Sequence, residues 1–172
     1  HSGKRCGKDF GLCMNPEFLT AIAKSWSEDK NMQRNFFTEE RIVIGSFDKK
    51  SGDILEHLYK PLKIPIFRTN LKTAELIKYV ANVCLASKIS FWNEIFLVCQ
   101  KLHIDSELVA DIVSMDKRIG RYGTVHGKAF GGTCFPKDLR AFRSFLNDEV
   151  GHKSDLLKGV ESINSYMKKY YG

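Results

Sequence analysis

Residues 131–138, GGTCFPKD, set one cysteine between a glycine pair and a Pro-Lys-Asp. The thiolate, not the thiol, is the nucleophile, and nearby positive charge or a helix N-terminus favours it. Cys134 lies just before a helix start predicted at Pro136, with Lys137 three residues on. Gly131 and Gly132 permit a ligand to approach the backbone closely. The string alone leaves two readings open: a nucleophile loop, or a helix-entry loop with an incidental cysteine. Asp138 is equally open, as a reacting-site carboxylate or as a charge placed favourably in the first turn of its helix.

Lys78 and Asn82 stand four residues apart in helical sequence and share a face, on which Ile89 also falls. An ammonium and an amide on an otherwise apolar helix could donate hydrogen bonds to an oxyanion. A snorkelling lysine beside a surface asparagine is the plainer alternative. Glu17 follows Asn15-Pro16 at a predicted strand end. Carboxyl ends of parallel strands are where open α/β sheets bind ligands, and a carboxylate there could serve as a general base. A solvated loop glutamate is again the bland alternative, and Arg118 reads equally as an ordinary surface charge. His57, His103, His126 and His152 have no metal-ligand spacing and receive no chemistry.

The elements that must position these groups fall into two parts. Residues 1–70 read as alternating strands and helices. Residues 10–14 form a short apolar run stopped by Asn15-Pro16, and RIVIGSF at 41–47 is a buried-strand pattern. A short helix is predicted over 53–59 and a strand over 64–68, the tail of a parallel Rossmann-like α/β sheet. The polar segment 25–40 is expected to cover the sheet edge. From Lys72 to Leu102 there is no Gly or Pro, and apolar residues recur at three-, four- and seven-residue steps. This predicts one helix of ~45 Å. Residues 79–87 are uncharged nearly all round, so the helix is expected to be buried on most sides and to pack a homodimer. Asp105-Ser106 caps a helix to about Met115, a glycine-containing loop covers 116–128, one helix follows Pro136 and another covers 154–167. Residues 71–172 are thus expected to form a mostly helical second domain.

Composition narrows the classes. Of 172 residues, 43% are hydrophobic, enough for a real core. The net charge of +7 is scattered in pairs such as Lys4-Arg5 and Lys168-Lys169, which reads as solubility, not as a nucleic-acid footprint. No uncharged apolar run approaches the ~20 residues of a membrane span. The five cysteines are odd in number and lack CxxC spacing, which argues against zinc and against a disulfide framework. Reduced thiols imply a cytoplasmic setting. Cys84 and Cys99, in apolar helical sequence, are expected to be small core residues.

These signals occur together in a known order. NPEFL at 15–19, RIVIG at 41–45, ELIKYVANVCLASKISFWNE at 75–94, MDKRIG at 115–120 and AFGGTCFPKD at 129–138 resemble the UDP-glucose/GDP-mannose dehydrogenase family. The resemblance implies an enzyme that oxidises a sugar's primary alcohol to a carboxylate while reducing two NAD molecules. Cys134 would attack the intermediate aldehyde to give a thiohemiacetal; a second hydride transfer would leave a thioester for water to hydrolyse. Lys78 and Asn82 match oxyanion-stabilising residues, Asp138 the carboxylate that organises the water and the lysine, and Glu17 a general acid/base. Phe18, Leu19, Ile89, Phe130 and Gly131 match substrate-pocket positions. Arg118 matches an arginine donated into the neighbouring subunit's site, and the resemblance implies that Lys137 would lie near the cofactor.

There are departures. Thr20, Ala21 and Ile22 stand where much of the family has a Glu-Gly pair after NPEFL, which puts cofactor contacts at Ala21 in doubt. No GxGxxG turn occurs among the 172 residues. The expectation is therefore the end of an NAD domain plus the central helical dimerisation domain, inactive alone. A stand-alone dimerisation or regulatory module is the alternative, although a pure scaffold has no physical need for Cys134, Lys78, Asn82 and Glu17 together. A β-hydroxyacid dehydrogenase with a similar helical domain would work without a nucleophilic cysteine.

Overall fold

The computed structural model of the chain describes residues 2–20, 26–27, 34–35 and 38–172. Much of the 25–40 segment and residues 21 and 22 lie outside the described residues. The chain divides into two compact units, His1–Ala21 with Gln33–Val80 and Ile22–Met32 with Ala81–Gly172.

The first unit holds a three-stranded sheet in the order β1 (Cys13–Met14), β2 (Ile42–Ser46), β3 (Ile66–Thr69). β2 and β3 are parallel, with Ile42 opposite Ile66 and Gly45 opposite Thr69. Parallel strands need a crossover, and α1 (Lys49–Tyr59) followed by a 3-10 turn at Lys60–Leu62 supplies it. β1 joins antiparallel, with Cys13 opposite Ser46. The sheet is thus mixed: the parallel pairing expected from sequence belongs to β2 and β3. The helix begins four residues earlier than periodicity suggests, because Asp48 accepts the Ser51 N–H at 2.8 Å and caps it. Ile42, Val43 and Ile44 are all buried, as a run of β-branched residues flanked by structure on both faces must be. A side chain at Gly45 would meet the Ala74 Cβ at 2.5 Å and the Asn70 carbonyl at 2.7 Å, so only glycine lets β2 pass the first turn of the next helix. Asn15 fixes the end of β1: its Nδ2 donates to the Val43 carbonyl at 2.8 Å and its Oδ1 accepts from the Tyr59 hydroxyl at 2.6 Å.

α2 (Leu71–Leu102) is one continuous helix of 32 residues, as the absence of Gly and Pro predicts. Asn70 accepts the Thr73 N–H at 2.8 Å at its start. The part beyond Val80 belongs to the second unit, with α3 (Ser106–Ser114), α4 (Phe135–Asp148) and α5 (Asp155–Tyr170). Asp105 and Ser154 cap α3 and α5 through side-chain oxygens. The core of this unit joins Val83, Ala86 and Ile89 of α2 to Phe130, Leu139 of α4, and Leu157 and Val160 of α5. Each of the larger side chains contributes about 1.5–3 kcal/mol by leaving water. Ser90, 1% exposed, donates its hydroxyl to the Val160 carbonyl at 3.0 Å and satisfies the polar atom on that face.

Within the single chain the burial of α2 is one-sided. Cys99 is a core residue as expected, but Cys84 is exposed. It lies in register with Phe91, Val98 and Leu102, all at least 46% exposed, on a face apart from the one that carries Val83, Ala86 and Ile89. Apolar composition alone does not say which apolar residues face the core.

Candidate active site

The first unit carries Glu17, Phe18, Leu19 and Lys78. Lys78, 18% exposed at its side chain, donates from Nζ to the Glu17 carboxylate at 3.0 Å and to the Glu17 carbonyl. Glu17 Oε2 accepts the Leu19 N–H at 2.7 Å, so the carboxylate folds over its own turn. The Phe18 ring lies 4.1 Å from the Arg41 guanidinium and 5.6 Å from the Lys78 ammonium, a cation–π arrangement. Its N–H donates to Glu39 Oε1 at 3.1 Å. Arg41 and Glu39 thereby hold the turn, a role that nothing in the local sequence pattern signals.

The second unit carries the cysteine. α4 starts one residue before Pro136, and Cys134 occupies the position that precedes its first residue, with no side-chain cap. The Cys134 carbonyl accepts the Asp138 N–H at 2.8 Å. The thiol is exposed, 3.8 Å from the Thr133 hydroxyl. Gly132 has φ +76°, which an L residue with a side chain rarely adopts, and a side chain at either Gly131 or Gly132 would meet nothing within 4 Å. The approach to Cys134 is open.

One turn into α4, Asp138 is 3% exposed. Asn82 Nδ2 donates to its Oδ2 at 2.6 Å and Lys137 Nζ to its Oδ1 at 2.6 Å. A buried carboxylate needs such partners, since desolvation is otherwise costly. The lysine bound to Asp138 is Lys137; Lys78 is bound to Glu17. Phe130 and Ile89, expected near the substrate, are closed into the core at 2% and 0% exposure. Arg118, with its side chain 90% exposed, folds back on Asp116 at 2.6 Å. That pairing holds the Asp116 carboxyl below the usual carboxylate range. Among the described residues no group of three or more His, Cys, Asp or Glu could hold a metal ion. All five cysteines are free.

His126, set aside on sequence, ties the loop before Cys134 to α3. Its ring nitrogens lie 2.6 Å from the Thr124 carbonyl and 2.8 Å from the Ser106 hydroxyl. Asn93 and Asn164, also without a sequence signal beyond their polarity in amphipathic helices, bond to the backbone of the same loop.

The described residues thus set an exposed cysteine at a helix start, a buried carboxylate one turn on, and a parallel β2–α1–β3 unit. Residues 72–166 match the description "UDP-glucose/GDP-mannose dehydrogenase family, central domain". The chain belongs to this family. It is 42% identical to the UDP-glucose 6-dehydrogenase YwqF of Bacillus subtilis over 90% of its own length and 33% of that protein's. It is likewise 42% identical to the GDP-mannose 6-dehydrogenase of Pseudomonas savastanoi pv. phaseolicola, over 95% of this chain and 36% of the relative. A UDP-glucose dehydrogenase from Pyrobaculum islandicum superposes with a TM-score of 0.77 at 37% identity, covering 93% of this chain and 35% of that one. The chain thus spans about a third of the length of these relatives. No helix among the described residues is long and apolar enough to cross a membrane.

Proposed function

We propose that these residues supply the catalytic cysteine of an NAD-dependent nucleotide-sugar 6-dehydrogenase, which converts a sugar primary alcohol to a carboxylate. The observation that carries the reading is the exposed Cys134 at the start of α4, with Asp138 held one turn later by Asn82 and Lys137. Relatives named for UDP-glucose and for GDP-mannose support the substrate class.

In this reading Cys134 Sγ attacks the carbonyl carbon of the aldehyde intermediate to form a thiohemiacetal. Oxidation of that carbon gives a thioester, and water attacks it to release the carboxylate and the free thiol. Lys78 and Asn82, one turn apart on α2, donate hydrogen bonds to the developing oxyanion. Asp138 holds the Asn82 amide and orients water, and Glu17 exchanges the proton of the hydrolytic step. Phe18, Leu19 and Gly131 shape the sugar pocket, while Ile89 and Phe130, closed into the core, support it from behind without reaching the sugar. Arg118 reaches a neighbouring subunit's substrate in a homodimer formed through α2, whose exposed Phe91, Val98 and Leu102 support such pairing.

The open surface at Gly131 and Gly132 and the exposed Lys137 side chain fit a phosphate-bearing ligand. Lys137 would hold NAD there; when bound, NAD accepts hydride. Residues 1–70 belong to the cofactor domain and residues 71–172 to the central helical domain. Five free thiols support a cytoplasmic setting.

The test is NADH stoichiometry in the full polypeptide that carries these residues, with UDP-glucose, GDP-mannose and N-acetylated sugars offered in turn. Two NADH per sugar is expected for one of them. One NADH per sugar, or none with any nucleotide sugar, contradicts the proposal.

A further inference from the structure

The loop that presents Cys134 contains two adjacent glycines, and the cysteine makes no capping bond of its own. A thiol on such a loop needs its position imposed from outside. Immediately upstream, two asparagine side chains from different helices grip the backbone. Asn93 of α2, fully buried, accepts the Gly127 N–H at Oδ1 (2.9 Å) and donates from Nδ2 to the Lys128 carbonyl (2.8 Å). Asn164 of α5 accepts the Phe130 N–H at Oδ1 (2.7 Å) and donates from Nδ2 to the Phe130 carbonyl (3.0 Å).

Each amide uses its acceptor and its donor on the loop backbone, as a neighbouring strand would. No other side chain of similar size offers both in that geometry: aspartate loses the donor and leucine loses both. The Phe130 ring is closed into the core of the second unit, so the backbone is fixed immediately before Gly131. On the far side, Asp138 is fixed by Asn82 and Lys137. Residues 131–134 therefore hang between two anchored points.

We infer that Asn93 and Asn164 are positioning residues that set the place of the Cys134 thiol through the backbone of residues 127–130. The inference rests on the reading of Cys134 as the nucleophile. Displacement of a reacting group by about 1 Å costs on the order of 10²-fold in rate, so a small slackening of this loop is enough to register.

The test compares Asn164→Leu, Asn164→Asp and Asn93→Leu with the parent in the full polypeptide. It measures kcat, KM, melting temperature and the rate of Cys134 alkylation by iodoacetamide, located by peptide mapping to separate it from the exposed Cys84. Asn164→Leu is expected to lower kcat about 10- to 100-fold with KM changed less than about threefold. Its Cys134 alkylation rate is expected to change at least about threefold, while Cys84 alkylation stays constant. Asn164→Asp keeps the acceptor and the packing volume and carries the test if either leucine variant fails to fold; the same kcat loss is expected of it. Unchanged kcat and unchanged Cys134 alkylation in a folded variant would overturn the inference. So would a kcat loss that tracks the fall in melting temperature with Cys134 alkylation unmoved. Alkylation is read without catalysis, so it judges the positioning role even if Cys134→Ser were to remain active and the nucleophile reading itself failed.

Discussion

Asn82 Nδ2 lies 2.6 Å from Asp138 Oδ2, a hydrogen bond that joins residues 56 positions apart and ties α2 to the first turn of α4. Both groups are buried, at 7% and 3% exposure. Removing the carboxylate leaves a buried amide without its acceptor, and that penalty exceeds the net worth of the bond. Asp138→Ala is therefore expected to cost about 1–3 kcal/mol, read as a lower urea midpoint at unchanged slope. Asp138→Asn, which can still accept one bond, should lose less.

Gly123 is a further point where the loop before Cys134 is constrained. Its φ is +88°, and a side chain would stand 3.1 Å from the Lys88 carbonyl carbon and 3.2 Å from the Ile89 nitrogen. Helix backbone cannot give way as a side chain end can. Gly123→Ala is expected to destabilise by about 1–3 kcal/mol, a fall in melting temperature of several degrees. Gly120→Ala is the control: φ is +67° but nothing lies within 4 Å, so conformational strain of about 1 kcal/mol is the whole cost.

Tyr122 packs against the core of the second unit, and burial pushes its phenol from 10.0 up to about 12. The folded state then holds this proton more tightly than the unfolded one. The associated stability is intact below about pH 10 and is lost as pH rises from there through 12. Denaturant midpoints between pH 8 and pH 11.5 should fall more steeply for the parent than for Tyr122→Phe, which has no proton to lose. Parallel slopes would show that the phenol is not held this way.

The exposed apolar face of α2 predicts self-association. Phe91, 52% exposed, is expected to sit in the contact, and Phe91→Lys should shift sedimentation toward the monomer with helicity unchanged. A parent that is monomeric at micromolar concentration would contradict the dimer.

Much of this was legible in the residues, for identifiable reasons. The 32-residue α2 carries no helix breaker, and RIVIG is a run of β-branched residues, so local preference and tertiary burial agree there. Pro136 marked the start of α4 to within a residue because proline is tolerated in the first turn. The orientation of β1 was not legible, since a two-residue strand has no pattern of its own and takes its direction from the chain path. The exposure of Cys84 was missed because one apolar position looks like another until the core-facing side is known. Arg41, Glu39, Asn93 and Asn164 were invisible because their partners are backbone groups or rings distant in sequence. Pairings of that kind have no local signature.

The proposed chemistry turns on one sulfur atom, that of Cys134. NADH production by Cys134→Ser in the full polypeptide, with the nucleotide sugar that the parent oxidises, tests it most directly. A serine hydroxyl of the same shape leaves α4, Asp138 and the loop anchors in place but is a far weaker nucleophile at neutral pH. Steady-state turnover to the carboxylate is expected to fall about 10³-fold or more, with substrate affinity and melting temperature little changed. Steady-state oxidation at the parental rate would contradict the account.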